Sequence, residues 1–264
     1  MNQYTAFGLK ISSEITLPPL PSSAFDAPDI CIRQGPIDNP TFAIPTIGKF
    51  LVAGIEEIIF EPMPAASHKD IIPFILGSCL GILLQRRGNL VLHGNAITAG
   101  NQCVIFIGPS GAGKSTLAGG FLRQGYSILS DDLCVITPEH QVLPGYPQIK
   151  LWRDSAQMLG YDCSGLEPVF QRQDKFAIPI ADNFTGSAKP LKQIYVLAPF
   201  EQTPFSSLKS LIDNTYRLTF IESSEERAKH LLQCQSILTN IPLKSLSHRA
   251  PLDDVNFYKA LVLN

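Results

Sequence analysis

One octapeptide constrains this chain more than anything else in it: Gly108-Pro109-Ser110-Gly111-Ala112-Gly113-Lys114-Ser115, continued by Thr116. The run fits the P-loop pattern G-x-x-x-x-G-K-[ST]. Its glycines let successive backbone N–H groups turn inward with no Cβ in the way. A helix beginning at Gly113 would add its positive end to those donors. The flanks agree: residues 104–107 are a strand-like apolar run, and 116–124 a helical stretch closed by Gly125. A buried strand, an anion-cradling loop, a helix and a further strand in that order are a unit of an α/β sheet. The chemistry suits a polyphosphate, with Lys114 reaching the β- and γ-phosphates and the Ser115 hydroxyl serving Mg²⁺. A glycine-rich turn with a solvated lysine is the plainer reading, and the flanking strand and helix argue against it.

Composition excludes several classes. Of 264 residues, 45 % are hydrophobic and 17 % charged, unlike a disordered chain. The length predicts one or two domains, large enough to fold without metal or disulfide staples. Lys and Arg number 21 against 23 Asp and Glu, a formal net charge of −2, so no global basic field exists to hold nucleic acid or an anionic membrane. A local basic pocket is compatible with that balance. Cysteines 31, 79, 103, 134, 163 and 234 form no C-x-x-C pair and match neither a zinc ribbon nor a disulfide framework. They read as reduced, structural thiols. The opening MNQYTAFGLKI has no basic segment followed by a long apolar one, as a signal peptide would. The most apolar stretch, 71–84, is short of the ~20 residues that span a bilayer and reads as a buried helix. The expectation is a soluble, cytoplasmic protein.

Two regions differ in texture. Residues 1–66 are broken by Pro, Gly and Ser, with strand-like runs at 4–11, 29–34 and 50–61. They predict a small mixed-β N-terminal region. Residues 67–264 predict the second domain. There, Asp70 is expected to cap a helix running to Arg87 and closed by Gly88. Strands are expected at 90–93, 102–107, 127–130, 193–198 and 243–247, and helices at 153–159 and 253–263. Ser223 and Glu226 form a capping box for a helix to about Leu238.

Two features belong with the loop. Asp131-Asp132 ends the run 126–130. If that strand lies beside the loop's strand, both carboxylates emerge at the sheet edge that carries the phosphates. One can then hold Mg²⁺ and the other accept a proton from an attacking hydroxyl. A turn-forming Asp pair is the plainer alternative. His93 ends the run 90–93 and precedes Gly94, which suits close approach; a hydrogen-bonded structural histidine is its plainer reading. His68, His140, His230 and His248 have no such context and read as surface residues. Trp152, the one tryptophan, reads as core packing for a turn rather than a nucleobase platform.

His93-Gly94, then GPSGAGKS, then Asp131-Asp132 together resemble the HPr serine kinase/phosphorylase family. That resemblance implies an α/β fold with a P-loop kinase core, like the C-terminal domain of HPr kinase and like ATP-type phosphoenolpyruvate carboxykinase. The opening Tyr4-Thr5-Ala6-Phe7-Gly8-Leu9 with Leu17-Pro18-Pro19-Leu20, and the segment Pro144-Gly145-Tyr146-Pro147-Gln148-Ile149-Lys150-Leu151-Trp152, are similar to a shorter subgroup. Its members act in lasso-peptide biosynthesis, where they phosphorylate a precursor peptide. The resemblance covers about 1–200 and is strongest over 88–152.

It implies Asp131 as general base, Asp132 as metal-side carboxylate, with the order of the two open, and His93 beside the base. Lys114 and the loop residues Gly108 to Thr116 would hold ATP, and Ser115 and Asp132 the Mg²⁺. Lys175 and Arg217 are weaker candidates for contact with phosphate or substrate, against a solvated face or surface ion pair. The chain lacks the family's Arg-Pro-Gly-Arg-Asn segment, so the resemblance does not extend to phosphorolysis. The expected activity is transfer of the γ-phosphoryl of ATP to an accessible serine of a peptide or protein, with an oligomer of identical chains allowed. A small-molecule kinase on the same core and a non-catalytic nucleotide sensor remain as alternatives.

Overall fold

The computed structural model describes residues 1–170, 173–199, 201, 203–246 and 254–263; for Phe170, Gln173 and Leu263 it describes the backbone alone. The fold is mixed α/β, in two compact units, Met1–Asn89 and Leu90–Asn264.

The first unit is a six-stranded mixed sheet ordered β1-β2-β3-β6-β5-β4. Its strands are β1 (Asn2–Ala6), β2 (Leu9–Ser13), β3 (Ile30–Gln34), β4 (Phe42–Ile44), β5 (Gly48–Ala53) and β6 (Glu57–Pro62). The run expected as one strand over 4–11 is a hairpin: Phe7 and Gly8 take φ of 52° and 71°, the two-residue turn whose twist matches paired strands. A continuous helical run follows, α1 (His68–Phe74), a π-helical turn (Ile75–Cys79) and α2 (Leu80–Arg86). Ser67, not Asp70, is the N-cap. Asp70 sits three residues in, and its carboxylate accepts from the Ser67 N–H at 2.9 Å and hydroxyl at 2.7 Å. Pro73 lies inside α1 and has no N–H to donate, and the π-helical turn follows it. The Phe74 ring packs 5.5 Å from Phe50, and Arg87 Nη1 donates to the Ile55 carbonyl at 2.7 Å. The boundary therefore falls after Asn89 and not after residue 66, because this apolar helical run is buried on the N-terminal sheet.

The second unit is built on a mixed sheet ordered β10-β9-β7-β8-β14-β15. In chain order its elements are β7 (Leu90–Ala99), β8 (Gln102–Ile107), α3 (Lys114–Arg123), β9 (Ile128–Ile136), β10 (Gln141–Val142), β11 (Gln148–Trp152), α4 (Arg153–Met158), β12 (Pro168–Phe170), β13 (Gln173–Pro179), β14 (Lys189–Val196), α5 (Pro204–Asp213), α6 (Ser224–Asn240), β15 (Leu243–Ser245) and α7 (Val255–Leu263). Period-two alternation in β8 sends Val104 and Phe106 to one face and Cys103, Ile105 and Ile107 to the other. The first face packs on Leu117 and Phe121 of α3, Tyr258 of α7, and the three-stranded sheet β11-β13-β12 through Ile149, Leu151, Phe176 and Ile178. The second packs on Leu211 of α5 and Cys234 and Ile237 of α6.

Several expectations change. β7 runs on through His93-Gly94 to Ala99, and β9 runs on through the Asp pair to Ile136, so these residues lie within strands rather than at their ends. β7 separates β8 from β9 and is antiparallel to both. His230 is buried, its Nε2 2.8 Å from the Thr215 hydroxyl, and not a surface residue. Trp152 is 47 % exposed and packs in no core. His248 and Asp253 lie outside the described residues. Among the described residues no helix is long and apolar enough to cross a membrane.

Candidate functional site

The glycine-rich loop leaves the end of β8 and enters α3. Gly108, Gly111 and Gly113 take φ of 151°, 81° and 92°. At Gly113 the requirement is plain: the last residue before the helix is left-handed, a conformation costing an L side chain about 1 kcal/mol or more. Its carbonyl accepts the first helical bond, from the Leu117 N–H at 2.8 Å. Gly113 has no side chain to cap α3, so no side-chain oxygen at that position takes up the first N–H groups of the helix. Lys114 is buried and folds back over the loop, donating to the carbonyls of Gly108 at 2.7 Å and Pro109 at 3.1 Å. Burial pulls its ammonium pKa below the ordinary value, with Asp132 opposing. Ser110 and Gly111 are exposed and Ser115 is half-buried. Thr116 points elsewhere: its hydroxyl lies 2.9 Å from that of Ser155 on α4.

Gly94 ties the loop to the acids. It pairs with Ile107 on one side and Asp132 on the other, so the start of the loop, Gly94 and the Asp pair share one row across three strands. Asp132 has a φ of 65° in mid-strand, and the register of β9 slips between its pairings to Ala96 and Ile97. In a regular strand adjacent side chains point to opposite faces. The left-handed residue breaks that alternation, and both carboxylates reach one residue, Lys150 of β11. Asp131 Oδ2 accepts the Lys150 backbone N–H at 2.8 Å, and Asp132 Oδ2 accepts its ammonium at 2.7 Å. The other oxygen of Asp131 accepts from the Asn95 amide. The other oxygen of Asp132 faces Lys175 Nζ at 3.7 Å.

The two acids are thereby driven apart. Burial, then the neighbouring Asp132 charge, raise Asp131 to about 7. Burial would raise Asp132 as well, but Lys150 and Lys175 outweigh it and hold its carboxyl well below the ordinary range. Lys150 stays above its ordinary value against the effect of burial, through Tyr146 and Asp132.

His93 sits beside them for a reason of strand pairing. β8 ends opposite Gly94, which leaves the first half of β7 without that neighbour. Residues 214–216 fill the place: the His93 N–H donates to Asn214 and the Tyr216 N–H to Val91, both at 2.8 Å. The His93 ring stacks on Tyr216 at 5.9 Å, and the Arg217 guanidinium lies 5.7 Å from the same ring. Burial lowers His93 to about 4, with Asp132 opposing and Lys114, Lys175 and Lys150 adding to the fall. His93 is therefore neutral at pH 7.

Of the sequence-based candidates, Lys114, His93, Asp131, Asp132 and Lys175 converge, Arg217 approaches through Tyr216, and Thr116 turns away. Lys150, Asn95 and Tyr216 were not among them. For Lys150 a signal existed: Ile149 and Leu151 are apolar, so period two puts Gln148, Lys150 and Trp152 on the other face of one strand.

The residues bear differently on the two expected ligands. A lysine, turned backbone donors and a helix start suit the phosphates of ATP. Mg²⁺ on Asp132 does not fit this arrangement, because two ammonium groups already neutralise that carboxylate and a dication would have to displace them. No family model matches the chain, and no curated protein matches it. Among solved structures, the Hpr(Ser) kinase/phosphatase from Coxiella burnetii is similar over 45 % of this chain and 73 % of that one, at 16 % identity and a TM-score of 0.29.

Proposed function

We propose that the chain is a phosphotransferase that moves the γ-phosphoryl group of ATP to a serine hydroxyl of a peptide or protein, a lasso-peptide precursor being one candidate. The observation that carries the reading is the row Ile107–Gly94–Asp132, which sets a phosphate-type loop and an acid pair of split pKa about two strand spacings apart, roughly 10 Å. Asp131 is the proton acceptor: a carboxylate poised near pH 7 matches the Brønsted optimum for a base at neutral pH. As the seryl oxygen forms its bond to the γ-phosphorus, its proton passes to Asp131. The bond from that phosphorus to the β–γ bridging oxygen breaks, and its electron pair leaves with ADP. Lys114 and Lys175 offset charge on the transferring group, and positioning supplies much of the acceleration. Neutral His93 and the Tyr216 ring wall the site on the far side of β7.

The test is incubation with γ-labelled ATP, with and without Mg²⁺, and a pool of serine-bearing peptides including any encoded beside its gene, tracing the label by mass. Label on a peptide serine, lost in Asp131→Asn while ATP still binds, is the expected result. Label on a small molecule instead would make the chain a small-molecule kinase. Binding without turnover toward either class would leave a nucleotide sensor and overturn the proposal.

A further inference from the structure

The charges at the site do not balance. Three ammonium groups, of Lys114, Lys150 and Lys175, face two carboxylates, and all five side chains are between 9 % and 20 % exposed. The carboxylates do not serve the lysines evenly. Asp131 is held by neutral donors, the Asn95 amide and a backbone N–H. Lys114 is held by carbonyls. Asp132 alone pairs with lysines, closely with Lys150 at 2.7 Å and more loosely with Lys175 at 3.7 Å. At least one positive charge is left over, in a place poor in water, where an unmatched charge is strongly unfavourable. The excess calls for an anion. The two lysines are also fixed in place: β11 and β13 pair Lys150 with Ala177 and Trp152 with Lys175, so both side chains rise from one face of a small sheet whose other face is core.

We propose that Lys114, Lys150 and Lys175 form a site that binds a di- or triphosphate without a divalent cation, the two lysines on Asp132 doing the neutralising that a metal ion otherwise does. The site deepens the phosphotransferase reading, and rests on it for the assignment of this face to a polyphosphate. Lys175, the looser of the pair, turns from Asp132 to the anion; Lys150 keeps Asp132 in place.

Calorimetric titration with inorganic tripolyphosphate in EDTA tests this on wild type, Lys150→Met, Lys175→Met and, as a control, Lys209→Met, whose side chain is exposed and paired with Asp213. Far-UV circular dichroism checks that each is folded. Wild type should bind saturably in EDTA. Loss of the charge-assisted bond from Lys175 should weaken binding about tenfold or more; Lys150→Met should do the same by leaving Lys175 as the remaining ion-pair partner of Asp132, and Lys209→Met should bind as wild type does. Should Lys150→Met fail to fold, Lys175→Met decides, since Asp132 there keeps Lys150. The fluorescence of Trp152, the chain's one tryptophan and the cross-strand partner of Lys175, is a second readout. Binding that requires Mg²⁺, or site variants that bind as tightly as wild type, would overturn the proposal. The two readings fail separately. Binding in EDTA with no phosphoryl transfer to any acceptor keeps the site and removes the phosphotransferase; transfer with Mg²⁺ but no binding in EDTA does the reverse.

Discussion

Gly94 is where the geometry of the site is least forgiving. A Cβ on it would lie 2.5 Å from the Phe106 carbonyl oxygen, a backbone atom that cannot swing aside, and 3.0 Å from Ile107 Cγ2. Gly94→Ala must therefore push β7 from β8 at the one row that joins the loop to the acids. The expected cost is about 1–3 kcal/mol of folding stability, measured by urea denaturation. Phosphoryl transfer should fall further than stability does, since the row is displaced even in molecules that stay folded. A variant as stable and as active as wild type would mean that the row tolerates spreading and does not set the site. At this scale the sequence was informative where chemistry is local. The loop announces itself because the anion is held by residues adjacent in the chain. Lys150 did not announce itself, because its meaning depends on β11 lying against β9, and the left-handed φ of Asp132 has no signature in an Asp-Asp pair.

Elements were legible in proportion to how local their signals are. The helix opened by Ser223 was expected from its capping box alone. In α6 both bonds are present, the Ser223 hydroxyl accepting from the Glu226 N–H at 3.1 Å and the Glu226 carboxylate accepting from the Ser223 N–H at 3.0 Å. Ser223→Ala should cost about 1 kcal/mol, read as a shift in the urea midpoint with an unchanged slope. Polyphosphate affinity should not move, because Ser223 and Glu226 bond to each other at the exposed start of α6 and neither is a residue of the site. A stability unchanged within error would show that water caps this helix as well as the serine does. β7 and β9 are longer than their apolar runs predict, for the opposite reason. His93-Gly94-Asn95 and Asp131-Asp132 interrupt the apolar runs, yet pairing on both sides carries each strand through the interruption. The sheet β11-β13-β12 left no continuous apolar run to find, since its charged face looks into the site.

On the scale of the whole molecule, a chain with a net charge of −2 keeps a local positive excess around one buried carboxyl of raised pKa, and the pH dependence of stability should report it. Asp131 stands at about 7 in the fold against an ordinary 3.8. Between those values the folded protein holds a proton that the unfolded chain has released. Its contribution is thus fully present below pH ~4 and is lost as pH rises through 7. His93 acts in the reverse sense over part of the same window. Its pKa falls from 6.5 to about 4, so its contribution is present above 6.5 and lost as pH falls toward 4. Wild-type stability alone would mix the two. Asp131→Asn separates them, because it keeps His93 and removes only the titrating carboxyl; the amide can still accept one of the two N–H donors at that position. Thermal melts from pH 4 to 8.5 should show the variant gaining on wild type steadily up to about pH 7 and then running parallel to it. The same substitution should abolish phosphoryl transfer, which is the trade expected where a site is held against the stability of its fold. A difference between the two proteins that is flat across this range would mean that Asp131 is ionised throughout and that its pKa is not raised by the fold.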